Sequence, residues 1–215
     1  MKRILVAYAT REGHTEAIAD HIAERLLLQG HRVTTMNVAD ADPFEDGPNR
    51  FDCAIFAASI HMGKHEPEMV TFVQAHLREL GETPAAFLSV SLSETTAEDP
   101  SAPDDKRQKA KRDVAHAIEH FIEETGWVPS RTKPIAGALA YTRYGFIVRF
   151  MMKQIARAAG ASTDTSCDHV YTNWRVLDAF VDELVATAAL SRDTLGSPLP
   201  DESPRRRFVK TAGVD

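Results

Sequence analysis

A chain of 215 residues, 43% of them hydrophobic, is long and apolar enough for one α/β domain with additions. Its formal charge of −6 argues against nucleic acid as the main partner. The two cysteines, Cys53 and Cys167, form no Cys-x-x-Cys pair, which excludes a disulfide framework and fits a reducing, cytoplasmic setting. No apolar run approaches a membrane span, and the short run after Met1-Lys2-Arg3 is broken by Arg11-Glu12 before any signal-peptide cleavage site.

Ile4-Leu5-Val6-Ala7-Tyr8-Ala9 predicts a buried parallel strand over 3–9. Ile18, Ile22 and Leu26 recur every four residues and predict a helix over 15–29, which Gly30 ends. A second strand is expected at 31–38, a loop at 39–50, and a third, apolar strand at 52–58 in which Cys53 is a buried thiol. Met69, Phe72, Val73, Leu77 and Leu80 give one face of a helix over 67–80, and 85–91 reads as a fourth strand. The acidic segment 94–105 holds two prolines and is expected to be an exposed loop.

A helix over 106–124 buries Val114, Ile118, Phe121 and Ile122, and a short fifth strand follows at 134–139. The last helix, 174–190, is packed by Leu177, Phe180, Val181, Leu184 and Val185. From 192 to 215 the chain is polar, with Pro198, Pro200, Pro204 and Arg205-Arg206-Arg207, and reads as a disordered tail after a domain over 1–191. Strands alternating with helices predict a parallel sheet covered on both faces. The stretch 140–168 is too long for an ordinary connection and reads as an insertion with its own helix at about 144–159.

The loop Thr10-Arg11-Glu12-Gly13-His14-Thr15 lies between the first strand and the first helix. Free backbone N–H groups and the helix dipole make such a junction an anion site, with Gly13 allowing positive φ and Thr10 and Thr15 offering hydroxyls. It is neither a Walker A loop nor Gly-x-Gly-x-x-Gly, so a terminal monophosphate, as on flavin mononucleotide (FMN), suits it better than a dinucleotide. A tight turn with a Thr cap fits the same residues, and the loop alone leaves both readings open.

Ligands of open α/β sheets bind beyond the carboxyl ends of the strands, and three further connections reach that edge. The loop Ser59-Ile60-His61-Met62-Gly63-Lys64-His65 is a candidate wall for a flavin ring. Its His61, Lys64 and His65 can handle protons or simply lie solvated. Val90-Ser91-Leu92-Ser93 can meet the polar edge of the ring. Tyr141, Arg143 and Tyr144 open the insertion. His61 and His65 lack a third ligand at suitable spacing, so no metal site is expected, and no single catalytic acid or base stands out. From Trp127 to Thr163 there is no Asp or Glu, while Arg149, Lys153 and Arg157 form a basic stripe beside an apolar one. This suits an anionic lipid surface, a carboxylated substrate with an apolar ring, or a surface helix packed on the sheet edge.

These residues resemble flavodoxin-like FMN domains, and more closely the menaquinone-dependent protoporphyrinogen IX dehydrogenases of bacteria. The shared patterns are Thr10-Arg11-x-Gly13-x-Thr15, Ala58-Ser59-Ile60-x-x-Gly63 and Ala136-Gly137-Ala138-Leu139-x-Tyr141-x-x-Tyr144. They continue in Arg149-Phe150-Met151-x-Lys153, Thr163-Asp164-Thr165 and Val170-Tyr171-Thr172-x-Trp174. Glu66 stands where that branch commonly has a second histidine. The resemblance implies a flavodoxin-like, doubly wound, five-stranded parallel sheet of order 2-1-3-4-5, with the insertion between the fifth strand and the last helix. It implies FMN as cofactor, held by Thr10–Thr15, Ser59–Gly63 and Val90–Ser93. It implies oxidation of protoporphyrinogen IX in haem biosynthesis with a quinone, menaquinone, as acceptor, and a place in the cytoplasm or on the inner face of the cell membrane. Tyr141, Arg143, Tyr144, Arg149 and Lys153 are the expected contacts to substrate or membrane. A soluble flavodoxin-type electron carrier without its own substrate is the alternative, and the acidic segment 94–105 favours it mildly.

Overall fold

The structure, a computed structural model, describes residues 1–40, 51–139, 141–143, 153 and 162–195. Strand β1 (Arg3–Ala9) is apolar on both faces and lies inside the sheet, second from one edge. It pairs in parallel with β2 (Arg32–Asn37) and with β3 (Cys53–His61). Next come β5 (Ala85–Ser91) and β6 (Arg131–Ala136), also parallel, giving the order β2-β1-β3-β5-β6. These five strands in parallel order are the expected doubly wound sheet.

Alternation along the strands divides the core. Ile4, Val6, Ile55 and Leu88 face helix α1 (His14–Leu28) and the last helix α6 (Trp174–Leu195), meeting Ile18, Ile22, Leu26, Leu177, Val181 and Leu184. Leu5, Ala7, Phe56 and Phe87 face α2 (Pro67–Ala75) and α5 (Asp104–Thr125), meeting Met69, Val73, Phe121 and Trp127. Phe87 and Phe121 stack with centroids 4.2 Å apart. On the other side Arg25 of α1 reaches Asp178 and Asp182 of α6, each at 2.9 Å, and His21 adds a contact to Asp178 at 2.8 Å. No helix among the described residues is long and apolar enough to cross a membrane.

Four local readings are corrected. The helix expected over 67–80 is two, α2 and α3 (Leu77–Glu82), broken at His76, whose φ of −121° leaves the helical region. The His76 ring donates from Nδ1 to the carbonyl of Phe72 at 2.8 Å and supports the break. The acidic segment is not an exposed loop from its start. Leu92–Glu98 is helix α4, capped by Ser91, whose Oγ accepts the N–H of Glu94 at 3.2 Å. Residues Glu94, Thr96 and Ala97 are buried there. The expected strand at 134–139 divides at Gly137, and β7 (Ala138–Leu139) pairs antiparallel with β8 (His169–Val170). Finally, α6 continues to Leu195, past the expected helix end, so 192–195 do not begin the polar tail as disordered chain. The rest of that tail, and most of the 39–50 loop, lie outside the described residues.

The third strand also outruns its expected end and turns back through Met62 and Gly63 into β4 (Lys64–His65). Both turn residues have positive φ, 51° and 82°, as a two-residue type I′ hairpin requires. This return carries His65 away from solvent. Its ring is 5% exposed, bonds Ser89 Oγ through Nε2 at 2.9 Å, and lies edge-on to Phe87 and Phe121. His65 is therefore a core residue, not part of a ligand wall. Burial, with a smaller push from the charge of His120, holds its pKa down to about 4.

The unfolded chain takes up this proton near pH 6.5, the folded chain only near pH 4. Stability is thus full above the unfolded value and is lost as pH falls through this window, by roughly 3 kcal/mol in total. His65→Gln keeps a polar atom toward Ser89 and does not titrate. Thermal denaturation from pH 7 to 4 should show a shallower fall in Tm for this variant; parallel curves for the two proteins would refute the assignment.

Candidate functional site

A cleft open to solvent lies at the carboxyl ends of the central strands. Thr10, Glu12, His14 and Thr15 line it from the β1–α1 loop, and Ser59, Ile60 and His61 from the end of β3. Val90, Ser91 and Leu92 contribute from β5 and α4, and Gly137 and Ala138 from the β6–β7 junction. Beside it a second cleft shares Glu12, His14 and Ala138 and is walled by Gly13, Ala17, Asp168 and Val170.

The floor is built by the start of α1. Gly13 is the N-cap residue at φ 83°, a left-handed conformation, and the first intrahelical bond runs from Ala17 N–H to its carbonyl. Thr10 Oγ1 accepts the N–H of Gly13 at 3.0 Å, which closes the loop and leaves the hydroxyl hydrogen available to a ligand. The N–H groups of His14, Thr15 and Glu16 precede the first helical bond and share the positive end of the helix dipole. Thr15 is 1% exposed, yet no hydrogen bond engages its hydroxyl among the described residues. A buried hydroxyl lining a cleft beside unpaired amides fits the oxygens of a phosphate monoester.

The tautomer of His14 follows from its neighbours. Thr172 donates its one hydroxyl hydrogen to the carbonyl of Ala136 at 2.7 Å. Its oxygen must therefore accept from His14 Nε2–H, 2.7 Å away, which leaves Nδ1 as an acceptor. Burial lowers the pKa of His14, so the ring is neutral at pH 7. Among the described residues the cleft lining holds no Lys or Arg, and anion binding there rests on neutral donors.

Arg11 does not line the cleft. Its Nε reaches Glu66 Oε2 at 2.6 Å and its Nη2 reaches Glu68 at 3.1 Å. Glu66 is the residue before α2, its side chain is 2% exposed, and its other oxygen accepts from Ser59 Oγ at 2.9 Å. Arg11 and Ser59 thus hold a buried carboxylate between the β1–α1 loop and the end of β3. Neither was marked for this task by its sequence motif. Glu66, outside the expected site, is the residue that sequence reasoning missed, together with Gly137, Ala138 and Thr172.

Of the other expected residues, Met62 is 93% exposed at the hairpin tip, and neither Met62, Gly63 nor Ser93 lines the cleft. Tyr141 is fully buried, and its hydroxyl donates to the carbonyl of Ser162 at 2.9 Å, bracing the insertion rather than presenting a contact surface. Arg143 ends a short 3-10 turn, Tyr141–Arg143. Lys153 is half-buried in helical backbone, whereas Tyr144 and Arg149 fall outside the described residues. Glu94, buried in α4, has its carboxyl pushed up to about 7, chiefly by burial and then by Glu98.

Comparison with known proteins gives a consistent set. Residues 5–166 match the family model described as a flavodoxin domain. The protoporphyrinogen IX dehydrogenase [quinone] of Escherichia coli (strain K12) is 33% identical over 182 residues, 85% of this chain and 94% of that protein. A protein of the same name from Leishmania major is 28% identical over 185 residues, 86% of this chain and 75% of its own length. Among solved structures, the flavodiiron core Flv1 of Synechocystis sp. PCC6803 aligns with a TM-score of 0.50 at 12% identity, covering 88% of this chain and 36% of that one. A short-chain flavodoxin associated with a bacterial microcompartment aligns with a TM-score of 0.49 at 16% identity, covering 87% and 99%.

If the Thr15 hydroxyl serves a phosphate, Thr15→Val should raise the Kd of FMN about tenfold, close to one hydrogen bond to a charged group. Riboflavin, which lacks the phosphate, should bind both proteins alike. Fluorescence titration measures both, and an equal loss for the two ligands would assign Thr15 to packing instead.

Proposed function

The chain belongs to the flavodoxin-domain family, and on that premise we propose that it is an FMN-dependent oxidoreductase that oxidises protoporphyrinogen IX to protoporphyrin IX with a quinone as acceptor. One observation carries the reading. The identity to the Escherichia coli enzyme extends over 85% of this chain, and so takes in more than the family domain alone. FMN, when bound, would supply two-electron redox chemistry, and the six-electron conversion of porphyrinogen to porphyrin would need three such passes, each reducing one quinone to its quinol.

The chain's own residues bind, orient and exclude. Thr10, Thr15 and the amides of 14–16 hold the phosphate, with Arg11 acting on the loop from behind through Glu66. Ser59, Ile60 and His61, with Val90, Ser91 and Leu92, frame the ring from two sides, and Gly137 and Ala138 close the third. Glu12, Gly13 and His14 shape the passage toward the second cleft. Among the described residues the cradle offers neutral donors and no lining cation, and the helix dipole carries the charge of the bound phosphate. The basic stripe of Arg149, Lys153 and Arg157, with Arg143 and Tyr144 before it, meets substrate propionates or the anionic inner face of the cell membrane, where menaquinone resides.

The purified protein should be yellow, or become so on adding FMN, and should form fluorescent protoporphyrin from protoporphyrinogen faster when a menaquinone analogue is present. Protein that stays colourless with FMN would overturn the proposal; a flavoprotein that reduces no quinone yet passes electrons to a protein partner would be a carrier. Reversing the charge of Arg149, Lys153 and Arg157 together should raise the KM for porphyrinogen or weaken binding to anionic liposomes. An unchanged result in both assays would make that helix an ordinary packing element.

A further inference from the structure

We propose that the turn carrying Asp164, Cys167 and His169 binds one divalent transition-metal ion of the zinc class. A carboxylate oxygen, the thiol sulfur and an imidazole nitrogen of these three residues all lie within 4.8 Å of one another. Cys167 Sγ and His169 Nε2 are 3.8 Å apart. In a tetrahedral zinc site, bonds of about 2.3 Å to sulfur and about 2.0 Å to nitrogen put those two donors about 3.5 Å apart. The spacing of the thiol and the ring is thus already close to that of two ligands sharing one ion.

The donor set decides the class of ion. One thiolate, one imidazole and one carboxylate favour zinc and its neighbours over calcium or magnesium, which take oxygen. Asp164 is prepared as a ligand. Its Oδ1 accepts from the N–H of Ser166 at 2.9 Å and from its hydroxyl at 2.7 Å, which orients the carboxylate and leaves Oδ2 for the ion. His169 Nε2 donates to the carbonyl of Asp164 at 2.8 Å, and the ion takes the place of that proton. The ring itself is anchored, because His169 pairs with Leu139 in the β7–β8 ladder and packs against Tyr141 and Tyr171.

Other charges face the cluster. The hydrogen bonds from Ser166 hold the Asp164 carboxyl low, with smaller contributions from His169 and Lys153, and the Lys153 ammonium opposes a cation there. With three protein ligands, exposed Asp164 and Cys167, and this nearby charge, the affinity falls below that of a closed four-ligand site. Asp168 and Val170 flank the ligands in sequence and wall the second cleft, so an ion here would stiffen that wall.

Zinc added to the full-length protein should slow alkylation of Cys167 by a maleimide about tenfold, read by mass spectrometry, with buried Cys53 as an unreactive internal standard. Calorimetry should give one ion per chain. His169→Gln and Asp164→Asn, checked for native circular dichroism, should each lose most of the protection. Two outcomes overturn the site: no protection by zinc in the natural sequence, or equal protection in both variants, which would mean a lone thiolate meeting an adventitious ion only. Should one variant fail to fold, the other, together with the stoichiometry, still decides.

Discussion

The carboxylate of Glu66 is the interaction on which the geometry of the cleft turns. It is buried where three segments meet, and an ionised carboxylate there is unfavourable by several kcal/mol unless it is paired and hydrogen-bonded. Arg11 brings a charge from the β1–α1 loop, and Ser59 brings a hydroxyl from the end of β3. The backbone of Glu66 adds a bond from its N–H to the carbonyl of Ser59 at 3.2 Å, and the residue then starts α2. Satisfying one buried charge therefore fixes the separation of two loops that must together hold one ligand. Both residues set that separation, and Ser59 also lines the cleft itself.

Behind the loop, the helix that ends in the cradle is held along its length. Arg25 and His21 tie α1 to α6 through Asp178 and Asp182, and Thr172 ties its first residue to the end of β6 through Ala136. The amides at the helix start are consequently pre-placed, and their dipole meets an anion without reorganisation. A cradle that has no lining cation among the described residues also favours a ligand whose charge is terminal and compact. A dinucleotide pyrophosphate spreads its charge over a longer span than this single turn presents.

Where periodicity was strong, the sequence was readable. The apolar run Ile4–Ala9, the four-residue repeat of Ile18, Ile22 and Leu26, and the Phe180–Val185 face of the last helix all stand as expected, because burial on one or two faces leaves a direct pattern. The loops of the cleft were readable too, since carboxyl-end connections must converge in a doubly wound sheet. What escaped depends on tertiary context. His65 looks polar and loop-borne, and only the type I′ return at Met62-Gly63 sends it into the Phe87–Phe121 layer. The acids and prolines of 94–105 masked α4, although Ser91-Leu92-Ser93-Glu94 has the spacing of a capping box. Glu66 was visible as a departure from the family pattern, but its partners are 55 and 7 residues away, and no local rule finds them. Asp164, Cys167 and His169 sit within one short turn, yet only the β7–β8 pairing turns the histidine back toward the thiol.

The bond between His14 and Thr172 spans 158 residues, nearly the whole domain. It has a consequence for the order in which the molecule is made. During synthesis β1, α1, β2 and β3 leave the ribosome long before α6, yet α6 supplies Leu177, Val181 and Leu184 to the face of α1 that carries Ile18, Ile22 and Leu26. Until those residues emerge, that face has no cover on the helix side, and the cradle lacks the strut that fixes His14. The nascent chain therefore carries the floor of the cleft at its front and lacks the strut that fixes His14 until its back arrives, so the cleft takes its final shape only late in folding.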